Sequence, residues 1–410
     1  MKRIVVIGGG AAGMAAALSA ARENPAAQVT ILEGKERLGK KLLVTGNGRC
    51  NLSNRRIAPD CYHTGGKDRL AAFLEHMGPG SAEALFARWG LLCSADEAGR
   101  IYPYFRQASM VLDVLLLALC RAGIAAETNC TVTELVRRSG GFILKTEQGE
   151  RFFADAVILT TGGRAAPKPG VTGVGYRLAK ACGHSVLPLY PCLVPLRCAG
   201  GVFRGLKGIR AQAELTLRRC GRFWAAERGE VQFTDYGLSG IPAMQLSCFL
   251  GEKTPPDTEI SVDFFPDWEK DAVEDLLRRR AEEHPRDTLE VLLLGLIHKR
   301  LLYAVMKSTG LERLSRTADT LSEREVAALA AALKDWRFPV EGPRSWDEAQ
   351  VTGGGVPLAE VDEHLMSVYE KELYLAGEVL DVTGICGGYN LHWAWCSGAL
   401  AGAAAAREEA

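Results

Sequence analysis

The sequence predicts an α/β protein: a Rossmann-type dinucleotide-binding domain assembled from both ends of the chain around an inserted segment, part β-barrel and part helical. Three observations carry this reading. Residues 2–32 read as strand, glycine turn, helix and strand. Residues 373–407 return to an apolar strand, a glycine loop and a last helix. Between about 188 and 348 the pattern changes to alternating strands followed by helices.

Lys2–Ile7 is nearly continuous in apolar residues, as in a strand buried on both faces, and Val29–Leu32 is its expected parallel neighbour. Ala11–Glu23 between them is rich in alanine and stops at Asn24-Pro25. Ala82–Trp89 and Met110–Arg121 read as helices with Ser81 and Ser109 as N-caps, and Gly123 closes the second. Strands follow at Ala125–Asn129, Val132–Arg137, Phe142–Glu147 and Phe152–Thr160, with Gly140-Gly141 and Gln148-Gly149 at the turns. Tyr176–Cys182 is a short helix ended by Gly183. Pro188, Pro191 and Pro195 then mark a change of composition.

Beyond them, Ala213–Arg219 and Glu259–Phe264 alternate apolar and polar residues, as antiparallel strands with one buried face do. Asp271–Glu283, Thr288–Leu294, Leu296–Ser308 and Ser322–Trp336 read as helices. The expected domains are therefore 1–187 and 349–410 for the dinucleotide-binding domain, and 188–348 for the insert. Within the insert, 188–266 is expected to be barrel and 267–348 helical. Leu373–Ala376 and Asn390–Arg407 are the late strand and helix.

The totals exclude several classes. Lys plus Arg is 49 and Asp plus Glu is 49 in 410 residues, so the basic excess of a nucleic-acid partner is lacking. The start MKRIVVIGGG has too short an apolar run for a secretory signal. The longest helical apolar stretch, Met110–Cys120, is about half the ~20 residues of a membrane span and contains Asp113. A cytoplasmic protein is expected. The 12 cysteines show no C-x-x-C and no zinc or iron–sulfur spacing, and the 7 histidines show no ligand spacing, so no metal is expected.

Gly8-Gly9-Gly10-Ala11-Ala12-Gly13 is a G-x-G-x-x-G between a strand and a helix. Its first glycine permits a tight turn, its second lets a diphosphate approach the backbone, and its third lets helix and strand pack closely. The helix N-terminus then faces the diphosphate with free N–H groups. Glu33-Gly34, about 20 residues on, end the second strand, where a carboxylate holds a ribose diol. NAD and FAD both fit this much. Leu375-Ala376-Gly377-Glu378-Val379-Leu380-Asp381, then Gly384 and Gly387-Gly388-Tyr389-Asn390-Leu391 before the last helix, supply a second contact segment that a long, extended FAD requires. A helix N-terminus there stabilises negative charge on a reduced flavin, and Asp381 can hold ribityl hydroxyls. The loop Gly39–Asn51, GKKLLVTGNGRCN, mixes cations, glycines and amides and reads as facing phosphate and flavin. Its candidates are Lys41, Gly46, Arg49, Cys50 and Asn51.

GKKLLVTGNGRCNLSN, TTGG followed by TGVGYRLAKACGH, GEVQFTDYGLSGIP, and VTGGGVPLAEVD with LYLAGEVLDVTGICGGYNLHWAWCSGALAG together resemble the HI0933-like (BaiN-type) NAD(P)/FAD-dependent oxidoreductases, across essentially the whole chain. The resemblance implies a glutathione-reductase-like FAD domain with an inserted barrel and helical domain. It implies that Gly8, Gly10, Ala12, Gly13 and Glu33 hold the ADP end and that the main chain at Val132 meets the adenine. Thr161, Gly162 and Gly163 would approach the cofactor, and Gly377, Glu378, Asp381, Tyr389, Asn390 and Leu391 would form the flavin side. The chain departs from the family at Val174, commonly an acid, at Asp235, commonly histidine, and at His392, often glutamine.

The leading expectation is reduction of an activated C=C bond, as in an enone, and the family's link to unsaturated bile-acid intermediates makes the substrate a steroid-like small molecule. NADH or NADPH would dock transiently, because no second G-x-G-x-x-G follows a strand. The candidate proton donors are Tyr389 and His392 by position, and Tyr102, Tyr104 and Tyr236 by composition. Cys50 is a candidate for a flavin adduct or a redox sensor. An oxidase of small amines, a flavin-linked tRNA-modifying enzyme and a non-catalytic flavin sensor are the competing classes. The sequence leaves the oligomeric state open.

Overall fold

A computed structural model describes residues 1–165 and 173–407. Thr172, which opens one of the motifs above, lies outside the described residues. The chain divides into two compact units, Met1–Tyr190 with Gln350–Ala410, and Pro191–Ala349.

The first unit is built on a five-stranded parallel sheet. Its order is Leu373–Leu375, Ala156–Leu159, β1 (Arg3–Ile7), β2 (Gln28–Leu32) and Ala125–Glu127. Ile4, Val6, Ile31, Val157, Ile158, Leu159 and Leu375 are fully buried, which is why these strands are unbroken apolar runs. α1 (Ala11–Glu23) crosses from β1 to β2. The segment read as one strand at Phe152–Thr160 is two. Arg151–Ala154 closes an antiparallel sheet with Gly141–Thr146 and Val132–Arg138, whereas Ala156–Leu159 joins β1. Asp155 makes the break, its carboxylate accepting hydrogen bonds from Arg3 N at 2.7 Å and Arg3 Nη2 at 2.8 Å. Ser81 and Ser109 are not caps. The helices Ser81–Trp89 and Ala108–Arg121 start one residue or more earlier, after Gly80 and Gln107, without a side-chain cap.

The C-terminal helix, Tyr389–Ala406, lies on α1. Its Gly398 and Gly402 are in contact with the α1 backbone: a Cβ on them would fall 2.2 Å from Ala12 O and 2.0 Å from Ala16 O. The alanine content of both helices is the condition for this approach, since larger side chains would hold the axes apart.

The second unit contains a closed antiparallel barrel, ordered Leu196–Cys198, Gly237–Gly240, Arg222–Phe233, Arg210–Arg219, Thr258–Asp263 and Trp336–Pro343. The last strand corrects the reading of 267–348 as wholly helical. The helix expected to run to Trp336 ends at Lys334, and Trp336–Pro343 alternates buried and exposed residues to close the barrel. Lys270–Glu283, Lys299–Ser308 and Glu323–Lys334 are the main helices of this unit, the last opened by a Ser322/Glu325 capping box.

Gly402→Val forces the two terminal helices apart. It is expected to cost about 3 kcal/mol or more, read as lost stability of the full chain in denaturant unfolding followed by circular dichroism.

Candidate functional site

The turn after β1 is shaped by glycine. Gly8 has φ +105° and a Cβ there would sit 2.6 Å from Thr160 O, while a Cβ on Gly13 would sit 1.8 Å from Gly8 O. Gly10 differs: nothing lies within 4 Å of where its Cβ would be, so this side of the turn is open. The N–H groups of Ala11, Ala12 and Gly13 precede the first intrahelical bond, Met14 N to Gly10 O at 3.0 Å, and the helix has no side-chain cap and no acid in its first turn. These three amides have no intrahelical acceptor, and with the positive end of the helix dipole they lie next to the open side of the turn at Gly10, as a diphosphate requires. Glu33 stands at the end of β2, its carboxylate accepting from Gly9 N at 2.7 Å and from Lys35 N at 3.0 Å. Both oxygens keep a lone pair for a ribose diol. Gly34 is exposed next to Thr131, a Cβ on it lying 3.0 Å from Thr131 Oγ1, and Val132 follows with its side chain buried.

The late segment comes to the same turn. Gly377 (φ +77°) would carry a Cβ 2.8 Å from the Cβ of Ala12, and it is pinned by Ser397 Oγ, which accepts from its N–H at 3.0 Å, and by Trp393 Nε1, which donates to its carbonyl at 3.1 Å. Glu378 Oε1 accepts from Thr352 N at 2.9 Å, and Glu378 Oε2 pairs with Lys41 Nζ at 3.0 Å. Gly163 leaves room for this carboxylate, since a Cβ there would lie 2.7 Å from Glu378 Oε1. Thr161 Oγ1 is buried with no hydrogen-bond partner among the described residues.

The loop carrying Gly46, Arg49 and Asn51 bends through left-handed residues, with φ +56° at Gly46, +55° at Asn47, +79° at Gly48 and +54° at Cys50. Two of these are non-glycine residues, a conformation held only when the surroundings impose it. Arg49 is exposed. Gly388 (φ +100°) precedes the C-terminal helix, and a Cβ on it would meet Ser53 O at 2.3 Å and Asn51 Oδ1 at 2.6 Å. Asn51 Oδ1 is itself buried with no partner among the described residues. The N–H groups of Tyr389, Asn390 and Leu391 precede the first helical bond, from His392 N to Gly388 O at 2.9 Å. Asp381 is buried, which raises its pKa, and it accepts from Gly65 N at 2.9 Å.

These groups fit an extended FAD: one helix N-terminus and a ribose carboxylate at the ADP end, a second helix N-terminus at the flavin end, and two buried oxygens, of Thr161 and Asn51, with bonding capacity to spare. The fit rests on main-chain amides more than on side chains. Several side chains expected at the site are engaged elsewhere. Asn390 clamps its own loop, donating to Gly384 O at 2.7 Å and accepting from Gly384 N at 2.8 Å. Lys41 is committed to Glu378 rather than standing free.

His392 is corrected from candidate proton donor to core residue. Its exposure is 0%, its Nε2 donates to Met77 O at 2.6 Å and its Nδ1 accepts from Ser53 Oγ at 2.9 Å. Burial lowers its pKa, so it is neutral and both nitrogens are used. Cys50 is likewise 0% exposed, and burial pushes its thiol up to about 11, which removes the thiolate an adduct needs. Tyr389 is 5% exposed, and its pKa is pushed up to about 12, chiefly by burial. Its main chain, not its hydroxyl, is what the site can use.

Thr352, Ser53, Asn54, Ser397 and Trp393 were not expected. Asn54 Nδ2 donates to Gly387 O at 3.0 Å, and Thr352 Oγ1 accepts from Arg164 N at 2.7 Å and Ala165 N at 3.0 Å. All five lie inside the motifs that carry the family resemblance, but residue type alone did not single them out from their neighbours. Among the described residues, no helix is long and apolar enough to cross a membrane.

Two outcomes follow from these environments. His63 pairs in a short strand with Thr383, and burial, aided by the Lys67 charge, lowers its pKa to about 4 from 6.5. Between those values the unfolded chain binds a proton that the folded chain refuses. Stability should therefore fall as pH drops from 6.5 towards 4, by on the order of 3 kcal/mol, and H63Q should flatten that stretch of the urea-unfolding profile. Cys50 should resist iodoacetamide in the native protein while exposed Cys120 and Cys220 react, as peptide mass spectrometry will read.

Residues 2–404 match the family described as HI0933-like protein Rossmann domain. The chain is 39% identical over 409 residues to a 3-dehydro-bile acid delta(4,6)-reductase of Clostridium scindens, covering 99% of each chain. It is 28% identical over 401 residues to the ribosomal RNA dihydrouridine synthase of Escherichia coli, covering 96% of this chain and 95% of that one. Among solved structures it resembles 3-ketosteroid delta1-dehydrogenase from Sterolibacterium denitrificans, with a TM-score of 0.51, 14% identity, and 99% and 100% of the two chains covered. It also resembles the open conformation of a flavocytochrome c3 fumarate reductase, with a TM-score of 0.50, 16% identity, and 99% and 78% covered. Both of these likenesses are of fold. With nearly its whole length matched, the chain belongs to the HI0933-like Rossmann-domain family.

Proposed function

We propose that the protein is an FAD-dependent oxidoreductase that reduces a C=C bond conjugated to a carbonyl, in a steroid-like small molecule, with NADH or NADPH as the transient electron donor. The observation that carries the flavin is the two-ended cradle, with free helix amides at Ala11–Gly13 and again at Tyr389–Leu391, and Glu33 at the ribose end. The substrate class is supported by the relative 39% identical over 99% of the chain, which is named for reduction at the 4,6 positions of a 3-dehydro-bile acid.

FAD, when bound, would supply hydride at flavin N5 to the β-carbon of the conjugated bond, and a proton delivered to the α-carbon from solvent would complete the saturation. The chain's own residues do the rest. The amides of Ala11–Gly13 hold the diphosphate, Glu33 the ribose, and Glu378 and Asp381 stand beside the path between them and the flavin end. The amides of Tyr389–Leu391 would stabilise negative charge on the reduced ring. His392, neutral and doubly bonded, supports Ser53 and thereby the strand beneath Gly388.

Ribosomal RNA as substrate is the second reading, because dihydrouridine also arises by saturating a C=C bond next to a carbonyl and the E. coli synthase is a relative. The balance of 49 cations and 49 anions favours the small molecule. The 12 cysteines form no disulfide among the described residues, which supports a reducing, cytoplasmic setting.

Anaerobic mixing with NADH or NADPH should bleach the flavin absorbance, and a 3-keto-4,6-diene steroid should restore it with formation of the saturated product. No bleaching by either nucleotide contradicts the reductase reading. Bleaching by amines with reoxidation by oxygen alone would make it an oxidase, and turnover on uridine in ribosomal RNA but not on the steroid would move the substrate to RNA.

A further inference from the structure

Glu378 presents a difficulty for any dinucleotide bound at the α1 turn. It follows Gly377, which touches Ala12 in the first turn of that helix, so a carboxylate stands beside the seat of a diphosphate. It is fixed there. Thr352 N holds Oε1 at 2.9 Å, and Gly163 leaves the space this oxygen occupies, since a Cβ there would lie 2.7 Å from it. Two anions close together in a partly dry cleft repel, and the repulsion weakens cofactor binding unless a cation intervenes.

Lys41 is the cation in place. Its ammonium lies 3.0 Å from Glu378 Oε2, bridging residues 337 apart in the chain. The neighbouring Lys40 is turned away to Glu36, at 2.8 Å. The Lys41–Glu378 pair has side-chain exposures of 44% and 21%, and an ion pair so exposed contributes little to holding a fold together. Its place at the cradle, where no structural load needs it, calls for another reason.

We propose that Lys41 is a positioning residue for the cofactor: it neutralises Glu378, so that this carboxylate can stay at the cleft wall as a hydrogen-bond acceptor for a hydroxyl-rich dinucleotide without repelling its diphosphate. Lys41 thus acts through Glu378 and not as a direct diphosphate ligand. The proposal rests on the flavin reading above and adds to it the division of labour between two residues from opposite ends of the chain.

The test is FAD affinity, read by quenching of flavin fluorescence as FAD is titrated into the full-length protein stripped of flavin. K41A should bind FAD roughly tenfold more weakly at low salt, and the loss should shrink at high salt. K41R should retain most of the affinity. The deciding variant is K41A/E378Q. With the carboxylate gone, the missing cation no longer matters, and affinity should recover to that of E378Q alone. Circular dichroism of each flavin-free variant checks that the fold is intact. An unchanged affinity in K41A overturns the proposal, and so does a double variant as weak as K41A. That second result would mean that Lys41 contacts the diphosphate itself. Failure of the wild-type protein to bind FAD at all would take the flavin reading down with it, whereas the other contrary results leave that reading standing.

Discussion

The backbone contact between α1 and the C-terminal helix is the constraint on which the site depends. Gly398 and Gly402 sit on Ala12 and Ala16 with no room for a single added carbon. That contact brings Gly377 to the first turn of α1 and lets Ser397 and Trp393, from the same helix, fix the Gly377 peptide. Two segments more than 360 residues apart in sequence thereby become the two walls of one cleft. Packing this close joins the two walls before anything binds, so less ordering cost remains for a long cofactor.

The cleft is mostly main chain. Left-handed glycines at 8, 377 and 388 are required by close approaches of under 3 Å. Around them, charged side chains are few and paired: Glu33 with two amides, Glu378 with Lys41 and an amide. Such a site binds by many fixed dipoles, which suits a large cofactor carrying two phosphates and many hydroxyls. The chemistry then belongs to the bound group, and the chain contributes orientation.

Much of this was legible from residues alone, because the features that define it are local and chemically unusual. G-x-G-x-x-G between strand and helix, Glu33 at a strand end, and G-E with G-G-Y-N near the C-terminus each need a specific backbone or charge. What was not legible depended on facing. His392 was placed at the site because it follows Asn390-Leu391, but the helix begins at Tyr389 and turns residue 392 inward onto Met77. Cys50 sits in a loop whose left-handed backbone buries its side chain. The split at Asp155 and the barrel strand Trp336–Pro343 were hidden for a related reason. A strand that changes sheets, or follows a helix after one residue, keeps the same apolar content while its partner changes.

A crystal structure of the protein grown with FAD tests the central claim most directly. The account predicts density for an extended FAD, with its diphosphate on the amides of Ala11–Gly13, its ribose on Glu33 and the flavin ring at the Tyr389 end of the C-terminal helix. A dinucleotide confined to the α1 turn, with nothing at the Gly388 end, would contradict it.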